Sequence, residues 1–212
     1  MWVSAGGSIV NCWPDAAVAR LDAGGLGSQI ESQRRASATD LSHVPTASCD
    51  VVLLGPLYHL LTTSERRQAI GEAARLLRRD GLIFAAGINL LTYLRTILQD
   101  DPEEFGRRRD FFLGQLFMDG NIALQPEQPA AMHLTTVAEL RAELDTAFEE
   151  ITLVGVESFA SKIVGRLAYL HATPASRQVL LDLLERTGTT SEGLGVTSHY
   201  LYIGRSAKPC AG

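Results

Sequence analysis

Residues 50–86 carry the feature that most constrains the fold. Asp50-Val-Val-Leu-Leu54 is a short continuous apolar run bounded by Cys49 on one side and Gly55-Pro56 on the other. Such a run suits a strand buried on both faces of a parallel sheet. A helix is predicted next, because Thr62 and Glu65 have capping-box spacing and Ile70, Ala73, Ala74 and Leu77 recur on one face. It stops at Arg78-Arg79-Asp80-Gly81, with cations in the last turn and a glycine beyond. Leu82-Ile-Phe-Ala-Ala86 reads as the next strand. The whole is one strand–helix–strand unit, with a right-handed crossover expected.

The remaining elements are placed around this unit. Leu91, Leu94, Ile97 and Leu98 give the following stretch helical character, and 103–118 carries Arg107, Arg108 and Arg109 ahead of Phe111, Phe112, Leu116 and Phe117. The region from Gly120 to Ala131 has prolines and glycine with little periodicity and reads as a loop. Thr136 and Glu139 open a second capped helix, residues 151–156 read as a strand, and Pro174 suits the first turn of a helix through Leu184. Ser198 to Gly204 alternates as a final strand.

Composition narrows the function classes. The chain has 212 residues, 46% hydrophobic and 20% charged, which fits one globular domain. A net charge of -5 gives no reason to expect nucleic acid or an acidic membrane surface as a partner. No apolar run approaches the ~20 residues of a membrane helix, and no basic region precedes an apolar core near Met1. Cys12, Cys49 and Cys210 lie far apart without a CxxC pair, so a reduced, cytoplasmic protein without structural zinc is expected. Lysine occurs only at Lys162 and Lys208 against abundant arginine, the usage of a GC-rich genome. There is no Ser/His/Asp triad, Walker loop, HExxH or metal cluster, hence no case for hydrolysis, phosphoryl transfer or metal chemistry.

The unit at 50–82, with its loop Gly55-Pro-Leu-Tyr-His59 and the helix end Leu76-Leu-Arg-Arg-Asp-Gly-Leu82, resembles the fourth strand, following loop and fifth strand of class I S-adenosylmethionine-dependent methyltransferases. The later order is similar too: a helical insertion, a capped helix, a sixth strand, and a last strand that in this family runs antiparallel. The resemblance covers about residues 37–205. It implies an α/β fold: a truncated Rossmann-like sheet, mostly parallel with an antiparallel last strand. In that reading residues 1–40 are an atypical N-terminal segment, 41–207 the methyltransferase-like domain, and 90–134 its helical cap.

The first quarter departs from the family. Members begin with a strand and a Gly-rich turn preceded by an acid. The nearest text here is Arg20-Leu-Asp22-Ala-Gly24-Gly25-Leu-Gly27, which makes Gly24, Gly25 and Gly27, with Gly55, the cofactor-contact candidates. Only 27 residues separate Asp22 from Asp50, too few for three strands with their helices, since one strand–helix–strand crossover takes ~30 residues. Ser37 stands where an acid often meets the adenine. The expectation is therefore either no cofactor or weakly held S-adenosylmethionine, and a sheet whose bare edge would pair with a partner chain or a second copy.

In open parallel sheets the site lies at the carboxyl ends of the strands. That rule selects Tyr58 and His59 after strand four, Asn89 after strand five, and Glu157 and Ser158 after strand six. His59 reads as a general base or as a helix-capping histidine. Tyr58 orients a substrate or packs. His133 meets substrate or sits in a solvent loop. Glu157 pairs with a substrate amine or is a solvated strand end. Arg107, Arg108 and Arg109 clamp an anion or form a solvated face, and Phe111, Phe112 and Phe117 pack or wall an apolar pocket. Tyr93 and Asp119, with Phe112, are the substrate-side candidates of the insertion. The function expected is modification of a small molecule, in natural-product biosynthesis, by cofactor-independent proton transfer, elimination or ring closure. The alternatives are S-adenosylmethionine-dependent methyl transfer to O, N or C and a partner-dependent subunit.

Overall fold

The strand–helix–strand unit forms as its pattern requires. In the computed structural model, which describes residues 2–4, 8–10, 24–25, 32–34, 36–125, 128–163 and 173–206, β4 spans Cys49–Leu54, α1 Thr63–Leu76 and β5 Leu77–Ile88. Thr62 caps α1 and Glu65 reaches back to the Thr62 N–H, completing the capping box. The helix ends at Leu76, earlier than the sequence pattern suggests. Arg78 to Gly81 are the start of β5, where the register to β4 shifts, Asp80 takes φ 61°, and a Cβ on Gly81 would meet the Arg78 carbonyl at 2.9 Å. β4 buries one face rather than two: Val52 and Leu54 are fully buried, but Leu53 is 37% exposed.

Three short strands precede this unit, which corrects the expectation that the sheet starts at β4. They are β1 (Trp2–Ser4), β2 (Ser8–Val10) and β3 (Ser32–Arg34). With β8 (Phe148–Gly155) and β9 (His199–Ser206), the sheet order is β3-β2-β1-β4-β5-β9-β8. β1 pairs antiparallel with β4, from Trp2 opposite Leu53 to Ser4 opposite Val51, so the edge of β4 is closed. β2 runs antiparallel to β1 and parallel to β3. Strands of three residues need far less chain than full strand–helix units, so they fit before β4. At the other side β9 runs against β5: Ser198 accepts a bond from the Asn89 N–H, while Gly204 lies against Ile83.

Two compact units divide the chain. The first comprises Met1–Ala86, Arg141–Ile151 and Tyr202–Gly212. Its core joins Val52 and Leu54 to Ile70, Leu76, Ile83 and Tyr202. Arg66, 2% exposed, makes a two-pronged ion pair with Glu143 at 2.8–3.0 Å. The same guanidinium donates to the Leu60 and Leu61 carbonyls. It thereby fastens the end of the loop that carries Tyr58 and His59.

The second unit comprises Gly87–Leu140 and Thr152–Leu201. It holds α2 (Leu90–Asp100), α3 (Glu104–Arg107), a π-helical turn Phe111–Gln115, α4 (Leu116–Asp119), β6 (Asn121–Gln125), β7 (Gln128–His133), α6 (Pro174–Thr187) and α7 (Ser191–Val196). Its core is Leu90, Ile97, Phe112, Leu116, Ile122 and Leu134. The division of the chain falls within α5 (Val137–Leu144), capped by Thr136 as the sequence predicts. The stretch read as a loop from Gly120 is instead the antiparallel β6–β7 hairpin, with Asn121 opposite His133. Gly120 permits it, at φ 66° and with the Leu134 carbonyl where a Cβ would be.

Removing one partner of the Arg66–Glu143 pair leaves a buried charge alone. Glu143→Ala is expected to lower unfolding free energy by about 3–5 kcal/mol in urea denaturation, and Arg66→Met with Glu143→Leu together by much less. A loss below ~1 kcal/mol for Glu143→Ala would show that the pair is not what holds this loop.

Candidate functional site

The second unit gathers polar residues on one turn, 194–199, held from two sides. Asn89 follows β5 and caps α2: its Oδ1 accepts from the Leu91 N–H at 3.0 Å. Its Nδ2 donates to the Thr197 carbonyl at 2.8 Å and the Gly195 carbonyl at 3.3 Å. Thr92 Oγ1 donates to the same Thr197 carbonyl at 3.1 Å. Asn89 is 2% exposed, so its amide is engaged within the protein.

Glu157 holds the turn from the other side. Its Oε2 accepts from the N–H groups of Ser198 and His199 at 3.2 and 2.9 Å and from Thr197 Oγ1 at 2.9 Å. Its Oε1 accepts from His199 Nδ1 at 2.5 Å. Burial pushes the Glu157 carboxyl up, but the bonds from the His199 side chain and backbone and from Thr197 outweigh it and hold the group below its usual range. The next residue, Ser158, is fully buried at φ 43°, an uncommon conformation for a side-chain-bearing residue and one that clusters at functional sites.

This arrangement makes His199 the side chain best placed for proton chemistry. A carboxylate orients the ring through Nδ1, the imidazole side chain is 52% exposed, and Nε2 has no partner among the described residues. A neutral ring that donates from Nδ1 keeps its lone pair on Nε2. In the sequence His199 stands out only as part of the alternating final strand. The signal was its place: the first residue of an antiparallel strand lies beside the carboxyl ends of its parallel neighbours.

The other sequence-selected residues fall as follows. His133 is not a solvent loop histidine: it is 3% exposed, with Nδ1 3.2 Å from Asn121 Oδ1 and Nε2 3.0 Å from Glu139 Oε1. Both ring nitrogens are therefore engaged. It joins Asn89 through the neighbouring strand, where Thr135 bridges Asn89 and accepts from the Leu90 N–H. Phe112 is a core residue, and Tyr93 stacks on it with centroids 6.2 Å apart. Burial raises the Tyr93 hydroxyl above its ordinary value. Asp119 is exposed and accepts from the Asn121 N–H. Arg107, Arg108 and Arg109 meet Asp101, Glu104 and Asp110, and Arg108 also covers the Phe111 ring at 4.0 Å.

In the first unit, Gly55, Tyr58 and His59 share one 3-10 turn, with the Tyr58 and His59 rings 4.5 Å apart. Tyr58 is half-buried and His59 exposed. Gly24 and Gly25 form an exposed turn with Gly25 at φ 73°, while Gly27 lies outside the described residues. Ser37 is exposed and engages Thr39. The nearest acid to it, Asp40, turns inward on its own segment to accept from the Ser42 N–H.

A family model described as a methyltransferase domain matches residues 11–85, less than half of the chain. Among solved structures, a S-adenosylmethionine-dependent methyltransferase of Methanosarcina mazei is similar with TM-score 0.55 and 17% identity, over 95% of this chain and 82% of that one. A protein of Pyrococcus horikoshii follows at TM-score 0.52 and 10% identity, over 94% and 71%. The N-methyltransferase NodS of Bradyrhizobium japonicum, in complex with S-adenosyl-L-homocysteine, is similar at TM-score 0.50 and 12% identity, over 95% and 66%. A comparison with curated protein sequences finds no match. The chain thus has the Rossmann-like α/β fold of these enzymes and resembles the class I methyltransferase family, from residue 11 rather than only from 37. Among the described residues no helix is long and apolar enough to cross a membrane.

Glu157 gives the site a pH signature. Its folded pKa lies below the ordinary 4.5, so its stabilising contribution is present above that value and is lost as pH falls through the folded one. Glu157→Gln should be about 1–3 kcal/mol less stable than the parent at neutral pH. The difference should shrink steadily below pH 4.5. Urea denaturation across pH 3–7 measures it, and a gap that is constant over the whole range would contradict the bonding described.

Proposed function

We propose that this chain is a small-molecule-modifying enzyme on a methyltransferase scaffold, in which His199, held by Glu157, is the general base of a cofactor-independent proton transfer, elimination or ring closure. The Glu157–His199 pair carries the reading. Nε2 takes a proton from a substrate C–H or O–H, and the electron pair left behind stays on the substrate. There it returns to a proton at another atom, expels a leaving group, or attacks to close a ring. Glu157 holds the ring in place through Nδ1 while the proton is transferred. Positioned base catalysis of this kind contributes ~10²–10⁴-fold.

Support for independence from S-adenosylmethionine comes from the N-terminal strands. A cofactor-cradling turn follows its strand directly at the carboxyl edge of a parallel sheet. β1 runs antiparallel to β4, so the residues after Ser4 leave at the opposite edge. Gly24 and Gly25 follow β2 only after a long stretch and form an exposed turn. Ser37, exposed and engaged with Thr39, takes the place of the expected acid. These residues fit the cofactor poorly, and no step is routed through it. The second reading, methyl transfer from S-adenosylmethionine, is favoured by the family match at 11–85.

Calorimetric titration of the purified chain separates the two. With protein at about 0.1 mM, no saturable heat with S-adenosylmethionine or S-adenosylhomocysteine is expected, because dissociation constants stay above the millimolar range. Saturation in the micromolar range would return the chain to cofactor-dependent methyl transfer.

A further inference from the structure

Arg95 differs from the arginines around it. It lies on α2 and is half-buried. Its Nη2 donates to Thr92 Oγ1 at 2.9 Å and to Ser161 Oγ at 3.4 Å, but its buried Nε has no hydrogen-bond partner. Arg107, Arg108 and Arg109 each meet a carboxylate, whereas Arg95 pairs with none among the described residues. Tyr200 supplies no counter-charge either: burial pushes its phenol up to about 12 against the opposing charge of Arg95. A buried donor without an acceptor and a half-buried charge without a counter-charge are both unfavourable, and each calls for an explanation.

The surroundings indicate what is missing. Ser161 Oγ, which accepts from Arg95, also lies 2.5 Å from Ser198 Oγ. Both serines are buried, at 9% and 7% exposure, and Ser198 directly precedes His199. Arg95 is therefore linked through two neutral hydroxyls to the backbone that bears the base. A single guanidinium flanked by hydroxyls, with the Glu157 carboxylate bonded to the turn that carries Ser198, suits a group with one negative charge. A phosphate dianion would need more cations than the described residues supply around Arg95.

We propose that Arg95, with Ser161, binds a carboxylate group of the substrate and so presents an adjoining acidic position to His199. This rests on the reading of His199 as base and adds the substrate class, a small monocarboxylic acid. The carboxylate supplies the counter-charge that Arg95 lacks among the described residues. Pairing with the guanidinium also offsets the negative charge of the carboxylate, which otherwise opposes removal of a proton close to it.

The test follows the Arg95 Nε–H signal and the amides of Ser161, Ser198 and His199 by NMR. The full chain is titrated with sodium acetate, sodium phosphate and methylammonium chloride at constant ionic strength. Saturable shifts with acetate are expected, with a dissociation constant on the order of millimolar. Arg95→Gln should abolish saturation, and Arg95→Lys should weaken it by about 10-fold. Shifts with acetate that never saturate, saturation that survives in Arg95→Gln, or tighter binding of phosphate than of acetate would overturn the assignment. Parent protein alone decides the first and third outcomes, so they stand even if a variant fails to fold. Because acetate binding does not need His199, its absence removes the subsite and leaves the base reading intact.

Discussion

The carboxylate of Glu157 is the contact on which the arrangement of the second unit turns. It accepts four hydrogen bonds from three successive residues, Thr197, Ser198 and His199. A bend of chain that would otherwise expose several N–H groups is closed by one side chain. Asn89 closes the same bend from the other side through its carbonyls. Donors and acceptors of one turn are thus satisfied by residues at the ends of two different strands. Partly burying an ionised carboxylate is costly unless it is hydrogen-bonded, and here both oxygens are, which keeps the group charged. The charge in turn fixes the orientation of the His199 ring.

The strained Ser158 conformation, the fit at Gly193 and the clamp at Asn89 belong to this one construction. A Cβ on Gly193 would fall 1.9 Å from the Thr187 carbonyl, so α7 can lie close to the end of α6 only with glycine there. Thr187 Oγ1 also meets Ser158 Oγ at 2.8 Å. Packing this close leaves little freedom for the turn to move. Rigid placement of a base is what positional catalysis requires, since small displacements of a reacting group are expensive in rate.

Much of this fold was legible in the chain, and the parts that were not share a cause. The capping box at Thr62, the apolar run at Val51 to Leu54 and the cap at Thr136 are local signals, and each produced the expected element. The order of the later strands could also be read, because each carries a recognisable apolar run. Strands β1, β2 and β3 could not: three residues contain no periodicity, and the direction of β1 is set by pairing with β4. The β6–β7 hairpin was hidden by Pro126 and Pro129, which read as loop signals. Asn89 and Glu157 were found from the strand-end rule, but the rule selects positions and not partners. His199 becomes visible only once β9 is known to run antiparallel, and Arg95 only once its neighbours can be searched for a missing acid.

The tautomer of His199 tests the central claim most directly. Two-bond ¹H–¹⁵N correlation of the neutral histidine ring distinguishes a protonated from a bare nitrogen. Neutral His199 is expected to carry its proton on Nδ1, toward Glu157, with Nε2 bare, and Glu157→Gln to weaken this preference. A neutral His199 protonated on Nε2 in the parent protein would contradict it, because the lone pair would then face Glu157 and no base would be presented to a substrate.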